Sequence, residues 1–217
     1  MKTLLAISLA AAFAAMGGAG AARSGISFQL DPRADAQAPS YMISLDEHGA
    51  GRYIEFAPAD GPADGPGRPV TVGEATLRTL SNARAAVVPD HCQSHRKNIA
   101  SVGKMTLSVY DNDAATQCVF QYTEEPALNA AVAAFEAIAE TMQSGARLDH
   151  LHRYDRLGLD AEIDSLTAEA KDGRAIELQN IAPELQSIFD DERVMERVRR
   201  KAGRLLQDAG VPATSAR

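Results

Sequence analysis

An α+β fold, an antiparallel sheet of two hairpins with helices on one face followed by a C-terminal helical subdomain, is predicted by three observations. Two pairs of alternating, strand-like runs flank short turn sequences between residues 40 and 122. A helical repeat of apolar residues runs without a miss from Leu128 to Met142, and every periodic segment after it is helical. Strands and helices segregated in this way pack as a sheet with helices on one side.

The first hairpin comprises Ser40 to Leu45 and Arg52 to Phe56, joined through Glu47-His48-Gly49-Ala50-Gly51, whose glycines supply the positive φ of a hairpin loop. The following stretch, 57 to 69, repeats Ala-Asp-Gly-Pro at 59–62 and 63–66, a composition that forbids helix or ladder and predicts a loop. Thr71-Val72-Gly73-Glu74 has the form of a capping box, and Leu77, Leu80, Arg84 and Val87 follow it at helical spacing. In the second hairpin Met105, Leu107 and Val109 share one face, residues 111–115 turn the chain, and Cys118, Phe120 and Tyr122 share a face on return.

The long helix opens at Glu125 with Pro126 in its first turn, and Gly145 is expected to end it. Another helix is expected over 146–157, stopping at Gly158, and a third with Asp160 as N-cap, carrying Ile163, Leu166 and Ala170 as far as Gly173. Short pieces follow at 176–181 and 183–189, and a last helix is expected from near Asp191 with the stripe Val194, Met195, Val198, Ala202 and Leu205. The chain thus divides into 1–21, an α+β domain over 22–145, and a helical subdomain over 146–217 packed on the sheet by Leu148, Leu151, Ile163, Leu166 and Val198.

Residues 1–21 have the order of a secretory signal peptide: Met1-Lys2-Thr3, an apolar run from Leu4 to Met16 broken by Ser8, then small residues with cleavage expected before Ala22. The run falls short of the roughly 20 residues that span a bilayer, so no stable membrane anchor is expected. The chain has 22 Lys+Arg against 29 Asp+Glu; removing the signal takes away only Lys2, which leaves 21 − 29 = −8. Such a balance argues against nucleic acid as partner. Aromatic residues are 5% of the chain and tryptophan is absent, so stacking platforms for sugars or single strands are not expected either. In a periplasmic or secreted setting the two cysteines, Cys92 and Cys118, read as one disulfide, with a reactive thiol as the rival.

Chemistry-bearing residues concentrate in two places. His91 and His95 flank Cys92 four residues apart, but the spacing matches no closed zinc template, so neither metal nor cofactor is expected. Asp149, His150, His152, Arg153 and Asp155 mix acids, bases and imidazoles within two helical turns; they read as a general acid/base site or as a solvated, salt-bridged helix face. No nucleophile elbow, P-loop, H-E-x-x-H or dinucleotide fingerprint occurs.

The runs Asp155-Arg156-Leu157-Gly158-Leu159-Asp160-Ala161-Glu162 and Ile181-Ala182-Pro183-Glu184-Leu185-Gln186-Ser187-Ile188 resemble those of uncharacterised exported bacterial proteins, a likeness over roughly the last two thirds of the chain that implies no activity. The hairpin, helix, hairpin, helix order of 40–143 is similar to that of emfourin-type protein inhibitors of metallopeptidases. Gly49-Ala50-Gly51 keeps the glycines of such a first hairpin, and the Ser-Gly-Gly-Phe-Ala-Gly signature is absent. The sequence therefore predicts an exported, non-enzymatic binding or inhibitory module that meets another protein through the loops 47–52 and 57–69. The alternative is a hydrolase or other extracytoplasmic enzyme using His150, His152 and Asp155.

Overall fold

A computed structural model describes residues 24–212, apart from 34, 37, 57–66, 90–91, 93–102 and 113. The expected signal peptide, most of the 57–69 loop, His91 and His95 lie outside the described residues. The architecture is α+β: a six-stranded antiparallel sheet in the order β4-β3-β2-β1-β5-β6, with helices against one face. The expected hairpins are β2 (Ser40–Asp46) with β3 (Ala50–Phe56), and β5 (Gly103–Asp111) with β6 (Ala114–Phe120).

Two further strands complete the sheet. β1 (Gly25–Pro32) lies between the hairpins and pairs with β2 on one side and β5 on the other. Its Ile26, Phe28 and Leu30 alternate toward the helices, and Phe28 sits opposite both Ile43 and Leu107, all three fully buried. The opposite face carries the row Ser44, Ser27, Ser108, Gln117. β4 (Arg68–Thr71) is a short edge strand beside β3. At the β2–β3 turn the Asp46 carboxylate accepts from His48 and Ala50 N–H, and Gly49, at φ 79°, is buried under Val72, whose N–H donates to the Gly49 carbonyl at 2.9 Å.

α1 (Glu74–Ala86) begins where the sequence suggests but is not capped as expected. Gly73 is its N-cap and Thr71 ends β4; the cap comes instead from Glu177, whose carboxylate accepts from Gly73 N–H at 3.0 Å and from the Thr76 hydroxyl. Glu177 takes up a left-handed conformation, φ 59°, to do this, which is uncommon for a residue with a Cβ. Its neighbours close the sheet edge: Asn180 Oδ1 accepts from Thr71 N–H at 2.8 Å, and Asn180 and Gln179 side-chain amides donate to the Thr71 carbonyl. A side-chain amide thus supplies the ladder contacts of a missing strand.

α2 (Pro126–Tyr154) corrects the sequence reading most: it runs straight through Gly145 and includes most of what was expected as a separate helix. Gly145 is a point of close approach, facing Ile181 of a 3-10 turn, Leu178–Ile181, and does not act as a terminator. Phe135 of α2 stacks on Phe28 of the sheet with centroids 5.2 Å apart. α3 (Leu159–Lys171) and α4 (Ala182–Asp190) pack on α2, and α5 (Glu196–Asp208) packs on α4 and α3. Leu148, Ile163, Leu166 and Val198 are fully buried as expected and Leu151 is half-buried, all within one core that continues from the sheet. Asp160 lies inside α3 and is not its N-cap; it pairs with Arg197 and Lys201 of α5, both at 2.8 Å. The last helix starts five residues later than Asp191, which instead follows α4 as its C-cap. No helix among the described residues is long and apolar enough to cross a membrane.

The Cys92 and Cys118 sulfurs are paired, with Cα atoms 5.7 Å apart, within the range of protein disulfides. Cys118 lies on the helix-facing side of β6, opposite Leu107, and the bridge is buried.

Candidate binding surface around Asp191

The C-terminal end of α2 carries all five residues of the predicted polar cluster, and the structure divides them. Residues two apart on a helix point in different directions. His150 faces solvent and packs its ring on Tyr154, 5.0 Å between centroids, while His152 turns inward and is 18% exposed. Arg153 and Asp149 form an exposed pair at i, i+4 with Nε to Oδ1 at 3.0 Å. Asp155 is exposed and serves as the C-cap of α2: its N–H donates to Leu151 O and its carbonyl accepts from Gly158.

The partner of His152 is Asp191, 39 residues on, with Nε2 to Oδ2 at 3.0 Å. Asp191 lies between α4 and α5, its side chain 10% exposed, and gathers three cationic or ionisable neighbours. Arg193 folds back on it, donating from its backbone N–H at 3.0 Å and from its guanidinium at 2.8 and 3.1 Å; Arg156 Nε stands at 3.6 Å. The Arg193 hydrogen bonds, foremost those of the guanidinium, hold the Asp191 carboxyl well below the ordinary carboxylate range, against the opposing effect of burial. The sequence reading did not find Asp191 or Arg193. The signal in the chain is an Asp-x-Arg turn between two helical patterns, and nothing local ties that turn to His152.

These contacts have a consequence for acid stability. A carboxyl held below its unfolded pKa, near 4, stabilises the fold above that pH and loses the contribution as pH falls through its folded value. Asp191→Asn should cost about 1–2 kcal/mol at neutral pH, the range for a charge-assisted hydrogen bond partly open to solvent. The gap from the parent should narrow below about pH 4. Urea unfolding of both chains at neutral pH and near pH 3 measures it; a gap unchanged with pH would remove the charge from the explanation.

The two segments that meet at this carboxylate carry exposed apolar side chains. Tyr154 is 75% and Leu157 80% exposed, the most exposed of the large apolar side chains among the described residues, and Met195, also exposed, is the N-cap of α5 just after the turn that Asp191 organises. Arg153, Arg193 and Arg197 are exposed on the same two segments. The ties from His152 and Arg156 to Asp191, and from Asp160 to Arg197, hold 152–160 against 191–201, so the patch stands on a fixed base.

Elsewhere a pocket of about 520 Å³ opens between the C-terminal ends of α3 and α5, floored by Ala175, Leu178 and Leu205 with Lys171 and Asp208 among its lining. Among the described residues no three His, Cys, Asp or Glu side chains are placed to hold a metal ion. Of the two loops expected to meet a partner, Glu47, His48, Ala50 and Arg52 are exposed at the first hairpin while Gly49 is buried. At the second, Arg68 is committed to Glu184 and to the Met142 carbonyl. No protein-family model, no curated protein and no solved structure matches this chain.

Proposed function

We propose that the chain is an exported, non-enzymatic module that binds another protein, with Tyr154, Leu157 and Met195 as its contact surface. The observation that carries this reading is the exposure of Tyr154 and Leu157 on a turn whose underside is tied down by Asp191. Protein interfaces are enriched in tyrosine, methionine and arginine, and their energy concentrates in a few such anchors. A fixed base adds to this, because little freedom is lost when the partner docks. The loops 47–52 and 57–69 are a second contact in the same reading. Export is supported by the order of residues 1–21 and by a buried disulfide, which persists in oxidising compartments.

The hydrolase alternative gains no support from the geometry: His152 is engaged by Asp191, while His150 and Asp155 are exposed apart from it. The topological likeness to emfourin-type inhibitors makes extracytoplasmic peptidases the first partners to test. Replacing Tyr154 with Ala and Leu157 with Ser should leave the melting curve unchanged, since both side chains face water. It should weaken capture of the partner about thirtyfold, the equivalent of one interface anchor of roughly 2 kcal/mol. The same partners recovered at the same affinity would end the proposal for this surface. Turnover lost in a His150, His152, Asp155 triple alanine chain of normal stability would replace it with the enzyme.

A further inference from the structure

We propose that the outer edge of β6 pairs with β6 of a second copy of this chain, antiparallel about a twofold axis through Gln117. This goes beyond the binding reading above and does not rest on it. The two edges of the sheet are treated differently. The β4 edge is closed: Pro69 has no N–H to offer, and Asn180 and Gln179 occupy the backbone groups of Thr71. Among the described residues nothing pairs with the outer side of β6. Natural monomers guard such an edge with charge or proline. β6, Ala-Ala-Thr-Gln-Cys-Val-Phe, has neither, in a chain of net charge −7.

The register follows from the hairpin. β5 ends at Asp111 and β6 begins at Ala114, and these two residues face each other across two intervening positions. The closing pair of such a hairpin exchanges hydrogen bonds and the pattern alternates from there. The backbone N–H and C=O groups of Thr116, Cys118 and Phe120 are therefore spent on β5. Those of Ala115, Gln117 and Val119 point out of the sheet edge. Their side chains lie on the face away from the helices and are exposed, Val119 by 49%.

An axis through Gln117 uses all three outward residues at once. Gln117 meets Gln117 of the second copy, and Ala115 meets Val119 twice, giving about six backbone hydrogen bonds. The exposed valine gains an alanine methyl as its cross-strand neighbour, and the two Gln117 amides meet as donor and acceptor. Shifting the axis by two residues, to Ala115 or Val119, carries part of the pairing off the strand. The order small, Gln, large is its own complement when reversed, which favours a second copy over an unrelated strand.

Sedimentation velocity of the disulfide-bonded chain over a concentration series tests this directly. The parent should show a concentration-dependent dimer. Gln117→Lys and Gln117→Glu each place like charges face to face, and each should loosen the dimer about tenfold or more. An equimolar mixture of the two should associate again, because opposite charges then meet at the axis. Gln117 is exposed and its side chain makes one hydrogen bond, to Ser108 Oγ at 3.2 Å, so at concentrations where all three chains are monomeric the melting curves of both variants should lie close to the parent's. A parent that stays monomeric throughout, a dimer indifferent to both substitutions, or a mixture that stays apart would each overturn the proposal; the first would leave the edge to an extended strand of another protein.

Discussion

Removing the Cys92–Cys118 bridge, by reduction or by replacing both cysteines with serine, should lower stability by about 3.5 kcal/mol. The residues stand 26 apart, and closing a loop of that length restricts the unfolded chain by roughly this amount on the loop-entropy model. For a chain of this size the shift in melting temperature should be about 7–14 °C. The bridge also fixes the segment after α1 to the outermost strand, at a position on β6 packed opposite Leu107 in the core. Equilibrium urea unfolding with and without reductant is the measurement. Coincident curves for oxidised and reduced chains would mean that the helix-facing side of β6 is held by packing alone.

Gly145→Ala should destabilise the protein by up to about 2 kcal/mol, the reverse of its usual effect within a helix. Alanine is favoured over glycine in a helix interior by about 1 kcal/mol. Against this, a β-carbon at residue 145 would overlap Cγ2 of Ile181, come within 3.1 Å of Ile181 Cβ and stand 3.2 Å from Arg68 Nη2. Ile181 is fully buried, and Arg68 is held by Glu184 and the Met142 carbonyl, so neither neighbour can yield cheaply. Overpacking of this kind costs about 1–3 kcal/mol, which exceeds the gain in propensity. Ile181→Ala removes the overlapping branch at its own cost of about 2–5 kcal/mol, and the double variant should be more stable than the sum of the two singles. Ile181→Val keeps Cγ2 and should give no such relief. A stabilised Gly145→Ala chain would show that α2 and the 178–181 turn are not in contact as described.

The fold class, both hairpins, the start of the long helix and the pairing of Cys92 with Cys118 were legible in the sequence. Each rests on a local rule: alternation for strands, 3.6-residue spacing for helices, and two thiols in a chain expected to be exported. Even Leu148, Ile163, Leu166 and Val198 could be assigned to the core, because each lies on the apolar stripe of its own helix. What tertiary structure decided lies between segments far apart in the chain. The alternation of Ile26, Phe28 and Leu30 is visible, but its place at the sheet centre comes from pairing with residues 41–46 and 103–110 at once. Gly145 reads locally as a stop, and only Ile181 packing against it explains why α2 needs a residue without a side chain there. The Thr71 capping box gives way to Glu177, 104 residues from Gly73, and His152 finds its carboxylate 39 residues away in place of those within its own helix. In each case a contact between distant segments satisfies a buried or half-buried polar group, or fills space, better than the local option does, and no window of sequence contains both partners.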